Sequence, residues 1–316
     1  MSMLGLRSWM IGTLALIIGA STLFFAVVLS FVGSFDVFTL AFVIVGFNIL
    51  QWLIAPYLID AMYGVKEVSR SKMPRLYEII ERLSARSGIR VPRIAVANIP
   101  IPNAFSYGSP IAGTRIAVTK GLLDTLEEEE VEAVIGHEIG HIKHKDMQIM
   151  MFASVLPAIC YYLGYSLMYS VGYRDRDRAS GAMAIGMGSM FLYWILTMLS
   201  LKLSRLREFY ADRHSVEVVE DGRRKLSEGL AKIVTSTSKM RLFGRTSTNS
   251  SLRTLFIADP EKSIEDTVQL TGKGAAADQR LVAEILARKP TAFDSFVELF
   301  STHPNIIKRL RALQEY

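Results

Sequence analysis

The chain has 316 residues, of which 50% are apolar and 21% charged, and its formal net charge is +6. So apolar a balance excludes a plainly soluble protein and points to membrane spans. The positive charge reads as a membrane-facing bias and not as a nucleic-acid signal, because no arginine-rich helix or stacking-aromatic motif accompanies it.

Taken in chain order, Trp9–Phe35 and Val37–Ile59 contain no charged residue, and each exceeds the ~18–20 residues needed to cross a hydrocarbon core. With the short turn Gly33-Ser34-Phe35-Asp36 between them they read as an amino-terminal transmembrane hairpin, 1–60. The first is too long for a typical signal peptide and reads as an uncleaved anchor. Residues 61–146 read as the first of two soluble parts. There, "SKMPRLYEIIERLSARSGI" carries Leu76, Ile79, Ile80 and Leu83 on one stripe of an amphipathic helix. "RIAVANI", "NAFSYGS" and "TRIAVTK" read as a small β-meander, with Pro100 and Pro102 marking the second as an edge strand. Thr125 and Glu128 fit a capping box for the next helix, whose first turn, Glu127–Glu130, complements its dipole. That helix is expected to run on into a third span.

Met147–Tyr173 and Ala179–Leu201 are again uncharged and predict a second transmembrane hairpin, 147–203; a buried helical hairpin is the alternative for this pair. Cys160 reads as a small buried apolar residue. In the remainder, 204–316, "KLSRLREFYADRHSVEVV", "AADQRLVAEILARK" and "NIIKRLRALQEY" predict helices, and 240–278 reads as a long loop or lid. Lys66, Arg70, Lys72, Arg75, Arg82, Arg86, Arg90 and Arg93, then Lys202, Arg205 and Arg207, place both soluble parts in the cytoplasm. The expected fold is mainly α with a small β-sheet, an integral membrane protein with about four transmembrane helices.

Three of the five histidines lie in "AVIGHEIGHIKHKD". On a helix, His137 and His141 are one turn apart, so both imidazoles reach one ion, and Glu138 reaches a water on that ion. Gly136 and Gly140 allow another helix to approach closely. His144, flanked by Lys143 and Lys145, reads as a partner of the helix dipole and not as a ligand. A third ligand must come from elsewhere, and "SRLREFYAD" offers Glu208, with Asp212 one turn on to orient a ligand histidine. Arg205 is placed to hold either carboxylate. The alternative for this stretch is an amphipathic, salt-bridged helix. His141 precedes the third span and Glu208 follows the fourth, so two crossings bring the halves back to one side of the bilayer.

These features together resemble the HtpX-type membrane zinc metalloproteases: the paired amino-terminal spans, "PNAFSYG", "GLLDTLEEEEVEAVIGHEIGHIKHKD", a second hydrophobic hairpin, "SRLREFYAD" and the late "STHP", in that order. The prenyl-protein endopeptidases are similar in the same two motifs but typically have more spans. The resemblance implies a gluzincin-like domain with one Zn2+ on His137, His141 and Glu208, and Glu138 as general base. It implies cleavage of misfolded or surplus membrane proteins at the cytoplasmic face of the plasma membrane. It also implies a substrate strand added along Asn103, Ala104 and Phe105. His303, with Arg205 as the alternative, is the candidate second donor to a developing oxyanion; a lone distal histidine is also often structural. The competing readings are a narrow prenyl-protein endopeptidase and a non-enzymatic membrane scaffold. In the latter a fourth ligand, His144, His214 or His303, would close a structural zinc site.

Overall fold

The computed structural model describes residues 37–170, 176–242, 275–289 and 291–316. The span expected over Trp9–Phe35 and most of the lid-like stretch lie outside these residues. Helix α1 (Val37–Tyr63) is followed by β1 (Val65–Glu67), α2 (Pro74–Ser87), β2 (Arg93–Ala97), β3 (Ala104–Ser109) and β4 (Gly113–Thr119). Helices α3 (Lys120–Thr125), α4 (Glu128–Lys143), α5 (Asp146–Ser170), α6 (Arg176–Val218) and α7 (Gly222–Leu242) come next. The chain closes with α8 (Ala275–Ala287), α9 (Ala292–Leu299) and α10 (Ile306–Glu315).

The fold is mainly helical with one small sheet, as expected. Among the described residues three helical stretches are long and apolar enough to cross a membrane: Phe42–Tyr63, Asp146–Met168 and Ser180–Val218. Their outward side chains are apolar, Phe42, Phe152, Phe191 and Trp194 among them, which suits lipid and not water. Helix α6 is 43 residues long, or about 65 Å at 1.5 Å per residue. That is roughly twice a ~30 Å hydrocarbon core, so its carboxyl-terminal half projects beyond the membrane and carries Glu208 and Asp212 into the soluble body.

The sheet runs β1-β2-β4-β3, with β2 and β4 parallel and the other pairs antiparallel. It is therefore not the simple meander that the three runs suggested. The chain leaves β2, forms β3 at the far edge and returns to place β4 between them. Alternation gives each strand its faces but does not specify which strands pair, and β1, three residues long, is too short to leave a periodic signal.

The main core joins the sheet to α2, α4, α7, α8 and α10. Leu76, Ile80 and Leu83 meet Ile116, Val134, Ile135, Leu226, Ile233, Ile285 and Leu310. Two expectations for α4 are corrected. Its cap is Glu127, boxed with Glu130, whereas Thr125 ends the short α3; a carboxylate at the N-cap satisfies the same amide groups that a threonine hydroxyl would. Nor does α4 run on into the membrane. Lys145 adopts φ 55°, a left-handed conformation that breaks the helix, and α5 starts afresh at Asp146. Helices α7 and α9 were not anticipated.

Candidate active site

Helices α4 and α6 cross in close contact. A Cβ on Gly140 would lie 3.0 Å from Cα of Ala211 and 3.1 Å from Cβ of His214. Two turns earlier on α4, the carbonyl of Ala133 accepts the hydroxyl of Ser215 at 2.6 Å. This approach brings the first face of α4, with His137 and His141, against the face of α6 that carries Glu208 and Asp212. All four side chains, and Glu138, are no more than 2% exposed.

The Nε2 atoms of His137 and His141 are 3.1 Å apart. Glu208 Oε2 lies 3.6 Å from the first and its Oε1 3.5 Å from the second. Each ring turns its other nitrogen to a carboxylate: His137 Nδ1 lies 2.9 Å from Asp212 Oδ1, and His141 Nδ1 2.5 Å from Asp146 Oδ2. With Nδ1–H donated in both cases, the two Nε2 atoms face each other as lone pairs beside a carboxylate. Three electron-rich donors converging in a buried space call for a cation. The three spacings also match the edge of a zinc tetrahedron, about 3.3 Å for metal–nitrogen bonds near 2.05 Å. One carboxylate oxygen of Glu138 lies within 4.8 Å of both imidazole donors. The residues present thus fit a zinc ion on His137, His141 and Glu208, with Glu138 beside it.

Arginines hold the carboxylates in turn. Arg309, on α10 and only 2% exposed, grips Asp212 through Nε at 2.8 Å and through Nη2, and its Nη1 lies 3.4 Å from Glu208 Oε2. Arg207 Nε lies 2.9 Å from Asp146 Oδ1. Burial alone would depress the His137 imidazolium, but Asp212 and Glu208 outweigh it and push the ring up to about 9, so that with no metal bound a proton takes the cation's place between the two Nε2 atoms. The site as a whole is an anionic pocket.

The structure brings His303 to this group: it is fully buried, with Nδ1 3.0 Å from Glu208 Oε2. Arg205 it does not bring. Its Nη1 donates to the backbone carbonyls of Glu298 at 2.8 Å, Leu299 at 3.2 Å and Ser301 at 2.5 Å. These are carbonyls at the end of α9, where a guanidinium adds a donor to groups that the helix leaves under-satisfied, so the expectation that Arg205 holds a carboxylate gives way. His144 and His214 pair with each other instead, ring centroids 5.7 Å apart, and His214 Nε2 lies 2.9 Å from Ser87 Oγ. Asn103, Ala104 and Phe105 lie at the start of β3, an edge strand that packs beside α4. The side chains of Ala104 and Phe105 are buried, and Phe105 stacks edge-on with Tyr63.

Asp146 and Arg309 were missed. Asp146 stands five residues after His141, across the left-handed break, where no helical spacing points to it. Arg309 sits on a stripe shared with Ile307, Leu310 and Leu313, and a single charge beside such a stripe reads as solvent-facing.

Comparison with known proteins agrees with this arrangement. The profile of Peptidase family M48 matches residues 70–316. A protease HtpX homolog of Thermoplasma acidophilum is 35% identical over 274 residues, covering 85% of this chain and 82% of that protein. One from Aeropyrum pernix is 33% identical over 287 residues, covering 89% and 86%. One from Methanothermobacter thermautotrophicus is 39% identical over 204 residues, covering 64% and 76%. The crystal structure of S. mikatae Ste24p superposes with a TM-score of 0.57 at 18% identity, covering 97% of this chain and 66% of that one, which speaks for a shared fold. The family match takes in both helices that build the site, and on these grounds the chain belongs to peptidase family M48 and is a membrane metalloprotease of the HtpX type.

Proposed function

We propose that the chain is a zinc-dependent endopeptidase that hydrolyses misfolded or surplus membrane proteins at the cytoplasmic face of the plasma membrane. The observation that carries this reading is the buried convergence of His137 Nε2, His141 Nε2 and Glu208, spaced 3.1–3.6 Å apart, with Glu138 alongside. His137, His141 and Glu208 would hold the zinc ion, which would supply Lewis acidity for activating a water and a carbonyl oxygen. Glu138, beside that place, would accept the proton of the attacking water on its carboxylate and pass it to the leaving nitrogen. Asp212 and Asp146 keep both imidazoles in the tautomer that offers Nε2. His303 acts through Glu208, holding its carboxylate by Nδ1–H.

Strand β3 offers the substrate an edge. Thr119 N donates to Asn103 O at 2.8 Å, and Asn103 N to Thr119 Oγ1 at 2.8 Å, so the backbone of Asn103 is engaged by β4. The alternation of an antiparallel ladder then turns the backbone groups of Ala104 and Ser106 outward, where an extended peptide can add as a strand. Projection of α6 beyond the bilayer puts the catalytic residues within reach of polypeptide emerging from the same leaflet.

Glu138→Gln tests the chemistry. The variant should keep one zinc per chain and the thermal stability of the parent while cleaving casein and an unfolded membrane substrate ~10²–10⁴-fold more slowly. Undiminished cleavage with zinc bound would remove Glu138 from the reaction. Chelation should abolish cleavage by the parent, and added zinc should restore it.

A further inference from the structure

Helix α9 is inside out for a protein surface in water. Among its described side chains the buried one is Glu298, whose carboxylate takes Lys308 Nζ at 2.5 Å and the backbone N–H of Asn305 at 3.4 Å. Beside the exposed Ser295, its large apolar residues face outward: Phe296 57%, Val297 40% and Leu299 52%, followed by Phe300 at 47%. The rings of Phe296 and Phe300 lie 5.3 Å apart, so these side chains form one patch. Eight residues hold little helix on propensity alone, and such a helix needs a surface to cover its apolar side.

Its place on α6 gives the depth of that surface. Arg205 Nη1 pins α9 by the carbonyls of Glu298, Leu299 and Ser301. The uncharged stretch of α6 ends at Leu201 and the exposed Lys202 follows. Arg205 therefore lies about 6 Å beyond the last apolar turn, within the ~5–8 Å headgroup layer of one leaflet. The outward apolar side chains of α6 reach the same level, Leu199 56% exposed and Leu206 46%. The α9 patch thus lies at the level where the lipid-facing surface of a spanning helix ends, and the exposed Lys202 at that level is a partner for phosphate headgroups.

We propose that α9 is a membrane-interface helix. Phe296, Val297, Leu299 and Phe300 insert at the boundary between headgroups and acyl chains on the catalytic side of the bilayer. His303 follows Phe300 by three residues and meets Glu208 at 3.0 Å. The lipid therefore supports the segment that brings His303 to the site.

The full chain in vesicles of phosphatidylcholine and phosphatidylglycerol tests this. In a Cys160→Ser background, nitroxides are placed singly at Phe296→Cys and Leu299→Cys. A third, at Arg213→Cys, whose parent side chain is 62% exposed, serves as the aqueous reference. Collision rates with oxygen and with a water-soluble nickel chelate are then compared. The two α9 labels should favour oxygen over nickel several-fold relative to the reference. Preference for nickel would mean that the patch faces water, and low collision with both reagents would mean that protein, such as a second copy, covers it; either overturns the proposal. In parallel, the unsubstituted protein is irradiated with a phosphatidylcholine that bears a diazirine at the top of its acyl chain. The peptide containing 292–300 should carry a lipid adduct, and its absence alongside labelled α5 and α6 peptides would overturn the proposal irrespective of how the variants fold.

Discussion

Removing the charge of Asp146 while keeping its shape, as Asp146→Asn does, leaves His141 without the partner that sets its tautomer. Zinc affinity should fall ~10–100-fold, read by competition with a chromophoric chelator, and stability should fall as well, because Arg207, only 6% exposed, loses its carboxylate partner. Arg309→Met is expected to be worse for stability. It strands Asp212 and Glu208, both no more than 1% exposed, and breaking a buried pair costs about 3–5 kcal/mol, which a thermal scan of the detergent-solubilised protein will register. His303→Asn separates two roles. Acting through Glu208, His303 should lower zinc retention together with turnover; a loss of turnover at full zinc occupancy would assign it to direct contact with substrate. At this scale His137, Glu138, His141, Glu208 and Asp212 were legible from the chain, because helical spacing of three or four places side chains on one face whatever the tertiary structure. Asp146 and Arg309 were not, since their positions depend on a left-handed residue and on the docking of a helix about a hundred residues away in the chain.

Helices α4 and α6 share a contact that Gly140 permits and a larger residue does not. Gly140→Ala would place a methyl group 3.0 Å from Cα of Ala211, and relief requires the helices to part by a few tenths of an ångström. Stability should drop by about 1–3 kcal/mol, and zinc should be retained less well, since two ligands stand on one helix and the third on the other. The amino-terminal end of α4 is tied separately. Arg224 on α7 forks onto Glu129 with Nη1 at 3.0 Å and Nη2 at 2.9 Å, and this hydrogen-bonded guanidinium holds the Glu129 carboxyl below its usual range. A depressed carboxylate contributes stability above the ordinary value near 4.5, and the contribution is lost as pH falls through the folded-state value. Glu129→Gln should therefore lower the unfolding midpoint modestly at neutral pH, by no more than about 1 kcal/mol for so exposed a pair. The difference from the parent should vanish in acid. Among elements, the amphipathic α2 and the histidine-bearing α4 could be read from periodicity. The crossover that separates β2 from β3 could not, because strand order is set by non-local pairing that leaves no mark on any one strand.

Across the molecule, the catalytic group depends on a hairpin that returns the chain to the side it left. Helices α5 and α6 pack along their length, with a Cβ on Gly164 or Gly186 meeting the opposite helix at 2.8 Å and 2.7 Å, the kind of small-residue contact that holds spanning helices together. The sequence made this arrangement readable because His141 and Glu208 flank two apolar stretches, and an even number of crossings is the only way for them to meet. Orientation is a separate matter and rests on the lysines and arginines of the 60–146 segment and those after Leu201. If both soluble parts are cytoplasmic, cysteines introduced singly at Arg70 and Arg213, whose side chains are 63% and 62% exposed, will behave alike in a Cys160→Ser background. A membrane-impermeant maleimide should leave both unlabelled in intact cells and label both once the inner face is opened. Labelling of both in intact cells would invert the orientation and move the protease to the outer face. Labelling of one alone would mean that the hairpin does not return, and would separate Glu208 from the histidines in the folded membrane protein.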